Sequence, residues 1–155
     1  MALSKSKKRD SAFLESRVFV ALLKAADSLS QDAERLMKEH GLTGTQYNVL
    51  RILRGAEPAG LPCKGISDRM ISHDPDMTRL LDRMEKRGLI TRERQSDDRR
   101  VVKTRITSQG LDILRELDAP VQELHRRQFR NIDAERLKGL AALLEEILPK
   151  APETT

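Results

Sequence analysis

The sequence has few of the residues that mark secreted or membrane proteins. Its 155 residues include one cysteine and no tryptophan. A single cysteine cannot form an intramolecular disulfide, which favours a reducing compartment. No apolar run approaches the roughly 18 residues that a membrane-spanning helix requires, and the basic N-terminus lacks the apolar core of a secretion signal. These absences predict a cytoplasmic protein with no membrane partner.

Aromatic residues are also scarce, at 3% of the chain, whereas charged residues reach 34%. A β-sandwich would use more aromatic and β-branched residues, so this balance favours helices with large solvated faces. The formal net charge is +5, which suggests an acidic partner, with nucleic acid first. Lysine and arginine also solubilise ordinary surfaces, so the charge alone leaves both interpretations open.

The residues that could carry catalysis or hold a metal ion are scattered. His40, His73 and His125 show none of the spacings typical of zinc sites. No glycine-rich phosphate loop follows a predicted strand. We therefore expect no enzymatic activity, no metal and no cofactor. Cys63 is expected to be a small buried hydrophobic residue and not a redox sensor.

Periodic apolar residues predict long helices towards both ends of the chain. A stripe of apolar residues spaced three and four apart runs from Leu14 to Leu36. Two more helices follow Thr107, the second capped by Asp133. Because helices this long cannot bury their stripes in a small monomer, they require a partner surface.

This pattern divides the chain into two regions and two tails. Residues 11–41 and 107–148 are expected to form a helical dimerisation region. Residues 43–106 are expected to form a separate lobe, and residues 1–10 and 149–155 to form flexible tails.

The predicted lobe contains three short helices followed by a β-hairpin, and a capping box of Thr43 with Gln46 predicts the start of the first of these helices. The third helix is expected to have Asp74 as its N-cap and Pro75 at its first position, and to end at Gly88. Residues 89–94 and 101–106 predict two strands joined by a polar turn. The fold class is therefore mainly α with a small β-hairpin wing (α+β), in which a winged helix-turn-helix lobe adjoins the dimerisation region.

The outer face of the third helix and the tip of the hairpin carry residues that suit duplex DNA. An arginine such as Arg79 or Arg83 can bond guanine through two hydrogen bonds in the major groove. Arg99 and Arg100 at the tip suit the negative potential of a minor groove. Asp98 can brace the guanidinium of Arg100. A solvated helix face without a ligand is the alternative, and the adjacent basic tip argues against it.

Three segments resemble the multiple antibiotic resistance regulator (MarR) family. Thr78–Ile90 resembles the recognition helix of the family, Asp98–Arg100 its Asp-x-Arg wing motif, and Ile106–Gly110 the Leu-Thr-x-x-Gly start of its fifth helix. Ile106 replaces the usual leucine. The resemblance covers essentially residues 11–148 and implies a homodimer whose first, fifth and sixth helices interlock.

The resemblance also implies, by position, a set of DNA-binding residues. The candidates are Ser72, His73, Asp76, Thr78, Arg79, Arg83, Asp98, Arg99 and Arg100. The first two would touch the DNA backbone, and the next four would face the major groove or its phosphates. Arg100, braced by Asp98, would enter the minor groove with Arg99 near a phosphate. A carboxylate such as Asp76 faces a polyanion there, so it either accepts from cytosine or caps the helix.

These observations predict a sequence-specific transcriptional regulator, most often a repressor, that binds a pseudo-palindromic operator as a homodimer. A small aromatic or phenolic effector is expected to modulate it. Tyr47, His40 and Arg51 lie near the family's usual pocket, but none is assigned to it. The alternatives are a non-specific architectural DNA-binding protein and a protein–protein adaptor, the latter disfavoured by Arg99 and Arg100.

Overall fold

A computed structural model describes residues 3–94 and 101–149, with side chains from Phe13 onwards. Its elements, in chain order, are α1 (Leu3–Glu39), α2 (Gly44–Gly55), β1 (Leu61–Pro62), α3 (Cys63–Ser67), α4 (Met77–Lys86), β2 (Ile90–Arg94), β3 (Val102–Ile106), α5 (Ser108–Gln128) and α6 (Ala134–Ile147). The mainly helical fold with one small antiparallel sheet confirms the predicted fold class.

Helix α1 begins at Leu3, earlier than the sequence pattern suggested. Residues 3–10, expected to be a flexible tail, are rich in lysine and contain no proline or glycine. Because such residues lose little free energy in a helix, the backbone continues as a helix although the apolar stripe has ended.

The sheet contains a third strand that the sequence pattern did not predict. The strand order is β1-β3-β2, and both pairings are antiparallel. Leu61 of β1 lies opposite Thr104, and Ile90 of β2 lies opposite Ile106. A two-residue strand has no alternation to detect, and Pro62 can occupy it only because β1 lies at the edge of the sheet.

Three of the predicted helix starts are confirmed by their caps. Thr43 and Gln46 form a reciprocal capping box at α2. The side chain of Thr107 accepts from the backbone N–H of Gly110 at the start of α5, and Asp133 caps α6. Each cap satisfies an N–H that has no partner within its own helix.

The buried core joins the central helices and the sheet to α5 and the end of α1. Its fully buried members include Leu50 and Leu53 of α2, Leu81 and Met84 of α4, and Leu114 of α5. The bidentate ion pair between Arg54 and Asp118 links α2 to α5 at 2.9 and 3.0 Å. The hydrogen bonds to Arg54 lower the pKa of the Asp118 carboxyl.

Much of α1 and of α6 is exposed within the described part of the chain. No residue of α6 is buried, and Leu143 and Ile147 are 62% and 66% exposed. Phe13 and Phe19 on α1 are exposed to a similar degree. Apolar surface of this extent marks an interaction site. Among the described helices, none combines the length and the apolar character needed to cross a bilayer.

Candidate nucleic-acid interface

Helix α4 separates its apolar and polar residues onto two faces. Met77, Leu80, Leu81 and Met84 are buried at spacings of three and four residues. Thr78, Arg79 and Arg83 are exposed on the other face, as is Lys86 near the C-terminal end. Within residues 13–94 and 101–149, neither Arg83 nor Lys86 forms an ion pair, and both side chains are exposed.

The N-terminal end of α4 corrects one prediction. The N-cap is Asp76, not Asp74, and Pro75 lies in the preceding turn. The Asp76 carboxylate accepts from the backbone N–H of Arg79 at 3.3 Å and pairs with its Nε at 3.2 Å. Asp74 instead accepts from the backbone N–H of Asp76 at 2.8 Å. Asp76 therefore caps the helix, whereas Asp74 stabilises the turn that precedes it.

Gly88 sets the direction in which the chain leaves α4. Its φ of +72° lies in the left-handed region that glycine occupies without strain. The N–H of Gly88 donates to the carbonyl of Glu85, and that of Leu89 to the carbonyl of Met84. This paired closure ends the helix and starts β2 two residues later.

A close backbone approach explains another glycine of the family-like pattern. A side chain at Gly110 would place its Cβ 2.5 Å from the carbonyl oxygen of Leu89. Thr107 closes the same junction, because its hydroxyl donates to the carbonyl of Gly88 at 2.6 Å. The start of α5 is thus locked onto the α4–β2 turn.

The turn before α4 contains the two residues expected to touch the DNA backbone. Ser72 and His73 are both exposed. The preceding residue, Ile71, donates its backbone N–H to the side-chain oxygen of Asn48 on α2 at 2.9 Å. This bond holds the turn against α2, and the sequence alone did not suggest it.

The predicted wing consists of β2 and β3 and the segment between them. Its tip residues Asp98, Arg99 and Arg100 lie outside the described residues, so their predicted roles stay predictions. The described stem is paired from Ile90↔Ile106 to Arg94↔Val102. Arg92, on β2, reaches back to α4 and contacts Asp82 and Glu85.

A cavity of about 540 Å³ lies between α1, α2 and α5 and reaches the turn before α4. Its lining includes Tyr47 and Arg51, which the sequence placed near a pocket, but not His40. His125 also lines it, a role that its sequence context did not indicate. The Arg51 guanidinium donates to the Tyr47 hydroxyl at 3.1 Å, which places a cation and a phenol at one cavity.

Cys63 departs from expectation, since it is exposed and not buried. It is the first residue of α3, a helix of one and a half turns that buries Ile66. In so short a helix few positions face the core, and Cys63 is not one of them.

A short helix, a turn, an exposed basic helix and an antiparallel hairpin, in that order, define a winged helix-turn-helix protein. A model of the MarR family matches residues 42–102. A MarR transcription factor of known structure from Planctomyces limnophilus is 36% identical, with a TM-score of 0.67, over 84% of this chain and 94% of that one. The chain belongs to the MarR family, and it is a transcriptional regulator.

Two further proteins match this chain over most of their length. The homoprotocatechuate degradative operon repressor of Escherichia coli is 29% identical over 129 residues, which are 83% of this chain and 86% of the repressor. A MarR mutant from E. coli, solved in complex with operator DNA, has a TM-score of 0.78 at 23% identity, over 86% of this chain and 94% of that one. At that identity the second likeness concerns the fold alone.

Proposed function

We propose that the protein is a homodimeric repressor that recognises a pseudo-palindromic operator in duplex DNA. The observation that carries this proposal is the exposed face of α4, on which Thr78, Arg79 and Arg83 stand free of the core. An α-helix fits the major groove, and arginine and threonine are suited to base edges and phosphates there. The repressor name of the E. coli relative supports the direction of regulation.

We assign DNA binding and dimerisation to the two regions predicted from the sequence. Residues 43–106 form the DNA-binding lobe, and residues 11–41 and 107–148 form the dimerisation region. The exposed apolar residues of α1 and α6 supply the surface that a second copy would cover. Two lobes related by a twofold axis would meet half-sites about 10 base pairs apart, which is one helical turn of DNA.

Within the lobe, the proposed DNA contacts remain those inferred from the sequence. Thr78, Arg79 and Arg83 face the major groove or its phosphates, and Ser72 and His73 face the DNA backbone. Arg99 and Arg100 belong to the wing, with Asp98 as the brace of Arg100. Of the two roles left open for Asp76, we propose the helix cap, because its carboxylate accepts from the backbone N–H of Arg79 and pairs with the Arg79 side chain.

A small aromatic or phenolic acid is the proposed effector, and the cavity beside α2 is its proposed site. Arg51 and Tyr47 offer a cation and a hydroxyl, while Met37, Ile52 and Val121 offer apolar walls. A ligand there would contact α1, α5 and α2 together. It would shift the lobe only as far as it binds one arrangement better than the other.

The experiment that tests the proposed function is a gel-shift titration with the DNA upstream of the protein's own gene and a random duplex of equal length. We expect the upstream duplex to bind at least about 1000-fold more tightly, with affinity falling steeply as salt rises. 4-Hydroxybenzoate, added as a probe, should weaken the specific complex. Equal affinity for the two duplexes would contradict the proposal and favour the architectural alternative.

Replacing Asp76 tests whether its carboxylate caps the helix or reads a base. Asparagine caps a helix about as well as aspartate, so Asp76→Asn should keep stability and bind the operator equally or more tightly, because one negative charge is gone. Asp76→Ala should lower the free energy of unfolding by about 1 kcal/mol. Thermal unfolding and fluorescence anisotropy measure the two effects. A tenfold loss of operator affinity in Asp76→Asn would mean that the carboxylate reads a base.

A further inference from the structure

Arg92 makes the densest set of polar contacts between the sheet and helix α4. Its Nε donates to Glu85 Oε2 at 2.9 Å, and its Nη2 donates to the same oxygen at 2.7 Å. Nη2 also donates to Asp82 Oδ1 at 2.5 Å. The backbone N–H of Arg92 completes the set by donating to Glu85 Oε1 at 3.1 Å. One residue of β2 thus satisfies both oxygens of one carboxylate and reaches a second carboxylate.

These contacts are more protected than the other ion pairs described in the lobe, of which that of Arg54, at 31% exposure, comes nearest. The Arg92 side chain is 25% exposed, against 79% for Arg79 and 84% for Lys64, whose ion pairs lie within or beside a single helix. The hydrogen bonds to Glu85, followed by that to Asp82, raise the pKa of Arg92 above its usual value. Charge-assisted hydrogen bonds in a fixed fork geometry restrict direction as well as distance.

The two elements that Arg92 joins are those expected to enter two different grooves. Asp82 and Glu85 lie on α4, in the half that follows Arg79. Arg92 lies opposite Thr104 in the β2–β3 pairing, within the stem that leads to the wing tip. Among the described residues, this cluster links the side chains of α4 to the stem, in addition to the α4–β2 turn at Gly88.

We propose that Arg92 is a positioning residue for DNA recognition: by clamping β2 to Asp82 and Glu85 of α4, it holds the wing at the angle at which helix and wing engage the operator together. This inference rests on the proposed DNA-binding function. Arg92 acts through the orientation of the wing, and its guanidinium is committed to two carboxylates of its own chain.

The clamp and simple electrostatics predict opposite changes in operator affinity when Glu85 loses its charge. Removing a negative charge from a surface that meets DNA should tighten binding, because fewer like charges face the phosphates. Removing the charge of Glu85 also loosens the clamp, because the amide of glutamine turns a donor towards a guanidinium that has only donors. If the clamp matters more, Glu85→Gln weakens binding although it makes the protein more basic.

The test compares Glu85→Gln with a matched control, Glu93→Gln. Glu93 lies on the same stem and is exposed, and its ion pair among the described residues is a 3.7 Å contact with Arg105. In operator titrations by fluorescence anisotropy, we expect Glu85→Gln to bind about tenfold more weakly than the wild type. Glu93→Gln should bind equally or more tightly. If Glu85→Gln binds as well as the wild type or better, the proposal is wrong.

A second substitution separates positioning from the mere presence of a cation. Arg92→Lys keeps the charge but cannot form the fork, so it should also lose about tenfold in operator affinity, while Arg94→Lys on the same strand should not. In an Arg100→Ala background, Arg92→Lys should cost little more, because the wing contact that it positions is already lost. Equal losses in both backgrounds would overturn the proposal.

Two further measurements distinguish a failure of this proposal from misfolding of a variant and from a failure of the proposed function. Circular dichroism and thermal unfolding of each variant show whether the fold survives. If Arg92→Lys does not fold, the milder Glu85→Gln still decides the question. If the wild-type protein itself binds operator and random duplex equally, the proposed function has failed and the variants are not needed to show it.

Discussion

Replacing both Arg79 and Arg83 with alanine is expected to reduce operator affinity at least about 100-fold, with little change in stability. A specific arginine contact to a base contributes about 1–3 kcal/mol, and a phosphate contact adds a salt-dependent part. Both side chains are exposed and lie outside the core, so alanine removes contacts with DNA without leaving a cavity. Anisotropy titrations at several salt concentrations measure the loss and the change of salt slope.

The control for this double variant is Arg115→Ala. Arg115 is an exposed arginine on α5 that pairs with Asp112 three residues before it, as Arg79 pairs with Asp76. The Arg115→Ala substitution removes a similar cation from outside the lobe. Operator affinity should therefore stay within about threefold of the wild type. If the double variant in α4 also stays within that range, α4 is not the recognition helix.

Replacing Leu143 and Ile147 on α6 with glutamate is expected to raise the dissociation constant of the dimer at least about 1000-fold. Burying a leucine or isoleucine side chain stabilises an interface by about 1.5–3 kcal/mol. In a dimer with twofold symmetry each substitution is present twice, so its effect on the interface is doubled. Both side chains are more than 60% exposed in the single chain, so the folded protomer has no reason to lose stability. Sedimentation equilibrium measures the effect directly.

Operator binding should fall together with the dimer, because a monomer reaches only one half-site. Lys138→Glu is the matched control on α6: it introduces the same charge at an exposed position whose side chain pairs with Glu135. That variant should remain dimeric and bind the operator. A dimer that survives both glutamates would place the interface elsewhere than α6.

Local patterns predicted the helices that carry the candidate site because their caps and stripes lie within one element. Thr43 with Gln46 and Thr107 with Gly110 are contacts over three residues, which a sequence reveals directly. The outward face of α4 followed from a simple period of three to four residues. Local patterns also indicated the hairpin and the need of the long helices for a partner surface. The family resemblance added that the partner is a second copy of the chain and that the hairpin is a DNA-binding wing.

Features that depend on contacts between elements were missed. The two-residue strand β1 forms only because β3 offers it an edge. Asp74 and Asp76 are equally good caps in a sequence, and only the path of the chain through Pro75 decides between them. The fork of Arg92 spans seven and ten residues across a turn, a spacing that no helical or strand period marks. His125 lines the cavity for the same reason, since α5 meets α2 only in the folded chain.

The central claim is that two copies of this chain read two related half-sites through α4. Hydroxyl-radical footprinting of the wild-type protein on the DNA upstream of its gene tests it most directly. We expect two protected regions centred about 10 base pairs apart and related by a pseudo-twofold axis, both absent with the Arg79→Ala, Arg83→Ala double variant. Uniform protection with no preferred position, or a footprint that the double variant reproduces, would contradict the account.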